Sequence, residues 1–283
     1  MQNKTIKANK TWCLRGRLIS FNKPKVMGIL NITPDSFFAG SRVQTEVDYL
    51  KKAESMIKDG VWMIDVGGYS SRPGATDISI EEESNRVLPV IKSLAKHFPE
   101  VFISVDTFRS EVARQAVETG ADVVNDISGG LLDSNMLNVV KRCKVPYIAM
   151  HMRGNPQNMV THSKYNHVTH EVVHELAKQV NEIVSAGIAD FAIDPGFGFA
   201  KTREQNFELL KALEYFQIFN QPVLAGVSRK SMIWKTLQLS AAEALPGTIA
   251  LNTIALLKKA SILRVHDVAE AVQAVTLWQE TEL

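Results

Sequence analysis

Eight times along the chain a short apolar run gives way to a segment of helical period, and seven of the eight stop at a polar residue. The runs are Val26–Leu30, Trp62–Val66, Val101–Val105, Ala121–Val124, Tyr147–Met150, Phe191–Ile193, Val223–Val227 and Ile262–Val265. Each has the length of a buried strand. Between the first two, Val47, Leu50, Ala53, Met56 and Ile57 recur at helical spacing within Thr45–Asp59, and Gly60 closes the segment. Further helices are expected at Ser79–Leu94, Ser110–Glu118, Ser134–Arg142, His167–Ser185, Arg203–Phe216, Ala242–Ala260 and from Asp267 to about Gln279. Ser79 followed three positions later by Glu82 has the pattern of a capping box. Strands separated by a helix run parallel. Eight of them with outer helices make an α/β fold of the (β/α)8 barrel type, as one domain. An open doubly wound sheet is the rival architecture, but it needs a topological switch point, and the sequence shows none. No linker rich in Ser, Gly or Pro divides the 283 residues, and residues 1–23 read as an N-terminal extension with a short strand or hairpin around Cys13–Phe21.

Composition excludes several classes of function. A net charge of +2 without a clustered basic face gives no footprint for nucleic acid. No apolar run of about 20 residues is present to span a bilayer, so no membrane partner is expected. Cys13 and Cys143 are far apart and form no disulfide framework. With no apolar signal core at the N-terminus, a cytoplasmic location is expected.

The polar residues at the strand ends carry the chemistry. They are Asn31, Asp106, Asn125, Asp126, His151, Asp194, Lys230, Arg264 and His266. Any one of them alone fits a cap or a turn. Together they fall at the C-terminal end of the barrel, where such folds carry their active sites. Arg72, Lys230, Arg264 and His266 suit an anion such as a phosphate or diphosphate. The glycines of Gly67-Gly68-Tyr69-Ser70-Ser71-Arg72-Pro73-Gly74-Ala75 let backbone N–H groups approach its oxygens. Asp106, Asn125 and Asp194 suit a flat heterocycle with amidine-like donors. Asn31 is neutral and suits a Mg²⁺ that keeps most of its waters and binds substrate phosphate. His170-Glu171-Val-Val-His174 matches the zinc-protease pattern, but it falls on an outer helix and has no third ligand on a separate element.

These motifs, in this order, resemble the dihydropteroate synthase family of pterin-binding enzymes. They are Met27–Phe37, Asp65–Gly68 with Ser71–Ala75, Ser104–Thr107, Val124–Asp126, Met150–Pro156, Asp194–Lys201, Gly226–Ser231 and Arg264–His266. The resemblance spans about residues 25–280. It implies condensation of 6-hydroxymethyl-7,8-dihydropterin diphosphate with 4-aminobenzoate, by dissociative displacement without a covalent enzyme intermediate. It also implies roles for named residues. Asp106, Asn125, Met150, Asp194 and Lys230 hold the pterin. Asn31, Arg72, Arg264 and His266 hold the diphosphate, with Asn31 beside the metal, Mg²⁺. Ser71, Pro73, Phe199 and Ser231 line the aminobenzoate site, Phe199 being chosen over Phe197. Asp106, Asp194, Lys230 and Arg72 are the expected catalytic groups. The loops Ile32–Arg42 and Tyr69–Ala75 are expected to close over the site, and the family's homodimer, formed through outer helices, is expected here. The chain departs from the family at Tyr69-Ser-Ser-Arg72, where Glu-Ser-Thr-Arg is usual. Ser71 keeps the hydroxyl, and Tyr69 replaces a carboxylate. Two alternatives share parts of this pattern: a pterin-binding barrel methyltransferase, which has no use for a diphosphate site, and a non-catalytic paralogue.

Overall fold

The structure is a computed structural model, and it describes residues 10–32, 42–71 and 76–282. The chain opens with an antiparallel hairpin, β1 (Thr11–Leu14) and β2 (Arg17–Ser20). Its turn residues Arg15 and Gly16 have φ of 49° and 72°, the left-handed pair that matches the twist of two-residue hairpins. Then come β3 (Lys25–Asn31), α1 (Arg42–Lys58), β4 (Met63–Gly67), α2 (Ile80–His97), β5 (Phe102–Asp106) and α3 (Ser110–Thr119). They are followed by β6 (Val123–Asp126), α4 (Met136–Cys143), β7 (Tyr147–Met150), α5 (Val168–Ala186), β8 (Phe191–Asp194) and α6 (Arg203–Lys211). The last elements are β9 (Leu224–Ala225), α7 (Ser231–Leu237), α8 (Leu245–Leu257), β10 (Ile262–Val265) and α9 (Val268–Glu282).

The strands β3 to β10 form one parallel sheet in the order β8-β7-β6-β5-β4-β3-β10-β9. A parallel bridge from Ile193 of β8 to Val223, just before β9, joins its two ends. The fold is the expected (β/α)8 barrel. Four local expectations change. The seventh barrel strand is shorter than its apolar run, keeping only Leu224–Ala225. A helix at Ser231–Leu237 was not anticipated, because Ser231 reads as part of a loop. The helix expected from Ala242 starts at Leu245, since Pro246 fits only in a first turn. The segment expected as helix to Phe216 turns into a 3-10 helix at Leu213–Phe219, whose three-residue period buries both Leu213 and Phe216. Ser79 does cap α2, accepting from Glu82 N at 3.0 Å.

Side chains alternate across each strand, and the barrel interior shows it in layers. Met27, Met63, Phe102, Val123, Ile148, Ala192, Leu224 and Ile262 make one apolar cluster with Trp12, Leu14 and Phe21. The hairpin is therefore the stopper of the barrel's N-terminal end. Trp12 Nε1 donates to Phe191 O at 3.2 Å, Cys13 N to Asp190 Oδ2 at 2.7 Å, and Arg15 pairs with Asp122 at 2.6 Å. Two positions further along the same strands stand Ile29, Asp65, Ser104, Asn125, Met150, Asp194, Gly226 and Arg264. The barrel thus changes from apolar to polar within one layer. Outward residues such as Ile64, Val66, Ile103 and Val105 pack under the helices in the larger core.

Candidate active site

Asp65 lies at the centre of the polar layer. Its side chain is fully buried. Oδ2 accepts from Asn125 Nδ2 at 3.0 Å and from Arg264 Nε at 2.6 Å. Arg264 Nη2 reaches on to Asp106 Oδ2 at 2.6 Å. Four strands, β4, β5, β6 and β10, are joined through these contacts. Burial disfavours the charge on Arg264, but Asp65 and Asp106 outweigh it and hold the guanidinium protonated. Burial pushes the Asp106 carboxyl up, Arg264 opposes that, and the Asp65 charge adds to it. Sequence reasoning gave Asp65 no role, because it sits inside an apolar run. The available signal was a carboxylate at a position whose neighbours are all buried, which requires a partner.

A second group surrounds Asp194 at the end of β8. Its Oδ1 accepts from Gly196 N at 2.7 Å. Burial raises its pKa, and Lys230 works against that. Lys230 Nζ donates to Phe197 O and lies 4.8 Å from the centre of the Phe199 ring. Burial pushes the Lys230 ammonium down to about 8, with Asp194 opposing. Phe197 is wholly buried in the outer core, whereas Phe199 packs with Met150, Met152 and Ala200 on an apolar shelf.

The remaining candidates stand at the rim. Asn31 is half-buried at the end of β3. A Cβ on Gly67 would stand 3.4 Å from Asn31 Oδ1 and 3.5 Å from Asp106 Cβ, so the glycine keeps the space between those two side chains open. His266 is exposed, and its N–H donates to Ser228 Oγ at 3.1 Å. Ser231 starts α7 and is exposed, and Ser71 is half-exposed. Arg72 and Pro73, and residues 33–41 of the first loop, lie outside the described residues. Two of the strand-end residues turn away from the mouth. Asp126 accepts from Ser128 Oγ, Gly130 N and Tyr147 Oη at 2.7, 2.9 and 2.7 Å, which makes it a brace for its own loop. His151 faces Glu175 of α5.

Tyr69 joins loops rather than lining the centre. Its hydroxyl donates to Asp77 Oδ1 at 3.0 Å and accepts from Gln157 Nε2 at 2.5 Å. Its ring packs edge-on against Phe108 and under the Arg109 guanidinium. His170 and His174 are exposed on α5, while Glu171 is committed to Arg153 Nη2 at 2.8 Å and to the N–H groups of Asn166 and His167. Among the described residues no group of three His, Cys, Asp or Glu is placed to hold a metal. Asn31 contributes a single neutral oxygen, which fits a hard cation that completes its shell with water and substrate oxygens.

Residues 27–266 match the model of a family described as pterin binding enzyme. The chain belongs to the pterin-binding enzyme family. Its relatives in that family include the dihydropteroate synthase of Escherichia coli strain K12, 43% identical, with 94% of this chain and 95% of the relative covered. Among solved structures, the Xanthomonas albilineans dihydropteroate synthase with 4-aminobenzoic acid is 37% identical with a TM-score of 0.90, covering 97% of this chain and 99% of that one. The same enzyme in complex with 7,8-dihydropteroate gives 35% identity and a TM-score of 0.86, covering 96% of this chain and 98% of that one. The match to the pterin-binding family runs from within β3 to just past the end of β10.

Proposed function

We propose that this pterin-binding barrel is a dihydropteroate synthase of folate biosynthesis. It joins 6-hydroxymethyl-7,8-dihydropterin diphosphate to 4-aminobenzoate and releases diphosphate. The observation that carries this reading is the buried array of Asp65, Asn125, Asp106 and Arg264 beside Asp194 and Lys230, at the polar end of the barrel. The carboxylates and the Asn125 amide accept from and donate to the edge of the pterin, Lys230 donates to it, and Met150 packs on its face. Arg264 and His266, with Arg72 from the loop, take the diphosphate. Phe199, Ser71, Pro73 and Ser231 take the aminobenzoate.

In the reaction the methylene C–O bond breaks and its electron pair leaves with the diphosphate. The amine nitrogen forms the new C–N bond and loses a proton. Positive charge that grows on the methylene carbon is stabilised by Asp106 and Asp194 from fixed positions, which is electrostatic catalysis without a protein nucleophile. Asn31 would hold a Mg²⁺, which would supply neutralisation of the charge on the leaving group. We further propose that two copies pair through outer helices. Leu257 of α8 and Leu277 of α9 support this, being 55% and 69% exposed. Incubating the purified chain with both substrates and Mg²⁺, and analysing the mixture by mass spectrometry, tests the reading. Free 7,8-dihydropteroate and an unmodified protein mass are expected. Absence of that product, or a stable pterin–protein adduct, contradicts it.

A further inference from the structure

Behind the aminobenzoate shelf lies a polar chain that the reaction does not itself use. His151, 1% exposed, leaves the end of β7 and sends its ring between β8 and α5. Lys201 Nζ donates to three acceptors, each at 3.0 Å: His151 Nδ1, Gly196 O and Phe199 O. An ammonium has three donors and no acceptor, so these contacts satisfy it completely. They also fix the tautomer of His151. Nδ1 accepts, so Nε2 carries the proton and donates to Glu175 Oε2 at 2.8 Å. Arg153 holds Glu175 in turn, its Nε at 3.0 Å from Oε1.

The two carbonyls on Lys201 are the first and last of one β-turn. Phe199 N donates to Gly196 O at 3.2 Å. Gly198, the third residue of the turn, has φ of +79°, as a type II turn requires there. The turn divides its two aromatic residues. Phe197 goes into the outer core, and Phe199 is presented to Lys230 and the shelf. Its entry is equally constrained. Gly196 has φ of +74°, and a Cβ there would come within 2.0 Å of His151 O. The ammonium of Lys201 thus bridges the base of a tight turn whose last residue is the aromatic shelf.

We propose that Lys201, oriented by His151, is a positioning residue for the second substrate: it clamps the 196–199 turn so that the Phe199 ring stays where the aryl amine must lie. The inference rests on the reading of this barrel as a dihydropteroate synthase. Lys201 touches neither substrate. Its effect passes through Phe199, while Asp65, Asn125 and Asp106 belong to other strands; Asp194 and Lys230 touch the same turn at Gly196 N and Phe197 O.

The test replaces Lys201 by Met, which keeps the stem and removes the donors, in the full chain. The KM for 4-aminobenzoate is expected to rise about tenfold or more, while the dissociation constant of the pterin diphosphate, measured by calorimetry without the amine, rises distinctly less. An unchanged KM overturns the proposal, and so does an equal loss of affinity for both substrates. Lys201→Arg keeps the charge but cannot place one nitrogen on three acceptors, and it carries the same expectation if the Met chain does not fold. A double-mutant cycle with Phe199→Ala separates clamp from general support. In the Phe199→Ala background the Lys201 substitution should change KM by less than about twofold, and a full additive loss there overturns the proposal. A wild-type control that makes no dihydropteroate would refute the proposed activity instead, and is seen apart from any difference between variants.

Discussion

Asp65 Oδ2 takes Asn125 Nδ2 and Arg264 Nε together. Its substitution by Asn removes a charge that Arg264 needs, and leaves the guanidinium with Asp106 alone. Breaking such a buried pair costs about 3 kcal/mol or more. Asp65→Asn is therefore expected to lower the melting temperature clearly and to weaken pterin binding by about tenfold or more, followed by thermal denaturation and calorimetry. Normal pterin affinity in a destabilised chain would restrict Asp65 to a structural role. The titrating groups give a second expectation. Burial raises the Asp106 pKa, so acidification protonates it above the ordinary carboxylate range and removes an acceptor from the proposed pterin site. Burial lowers Lys230 to about 8, so rising pH removes a donor there. Pterin affinity should fall on both sides of neutrality, the alkaline arm lying near pH 8. Lys230→Met should abolish that arm, and an alkaline arm that persists in the variant would contradict the assignment to Lys230. Residues at strand ends were legible in the sequence because an apolar run announces where it stops. Asp65 and Lys201 were not. Their meaning lies in partners at long range, such as Arg264, 199 positions from Asp65, and His151, 50 positions from Lys201.

At the level of elements, the hairpin β1–β2 belongs to the barrel's core rather than to an extension. Trp12 is 1% exposed, stacks edge-on with Phe21 at 4.9 Å between ring centres, and closes the apolar layer of the barrel. Trp12→Ala should cost about 3–5 kcal/mol of stability with pterin affinity kept, since the polar layer lies on the far side of that plug. Chemical denaturation with a parallel binding measurement checks this. A loss of binding without loss of stability would mean the layers are not independent in this way. The sequence offered this stretch only as a short strand or hairpin around Cys13–Phe21, because four-residue strands carry little periodicity. Its docking depends on Asp190 and Asp122, which come from other parts of the chain.

On the scale of the whole molecule, the barrel was legible because every strand is short, apolar and followed by a helical period. Closure of the ring was not written locally: it rests on Ile193 of β8 meeting Val223, just before β9. The outer surface leads to a prediction about assembly. If copies pair through α8 and α9, sedimentation equilibrium should give twice the 31.4 kDa chain mass. Leu277→Glu should shift the chain toward monomer. A wild-type monomer at micromolar concentration would exclude the proposed pairing. The central claim is that the polar end of this barrel transfers the pterin methylene directly from diphosphate to the aryl amine. The measurement that tests it most directly is the rate of diphosphate release from the pterin diphosphate, with and without 4-aminobenzoate and with and without Mg²⁺. Release is expected only when amine and metal are both present, one diphosphate for each dihydropteroate formed. A stoichiometric burst of diphosphate without the amine, or pterin binding with no release under any condition, would contradict it.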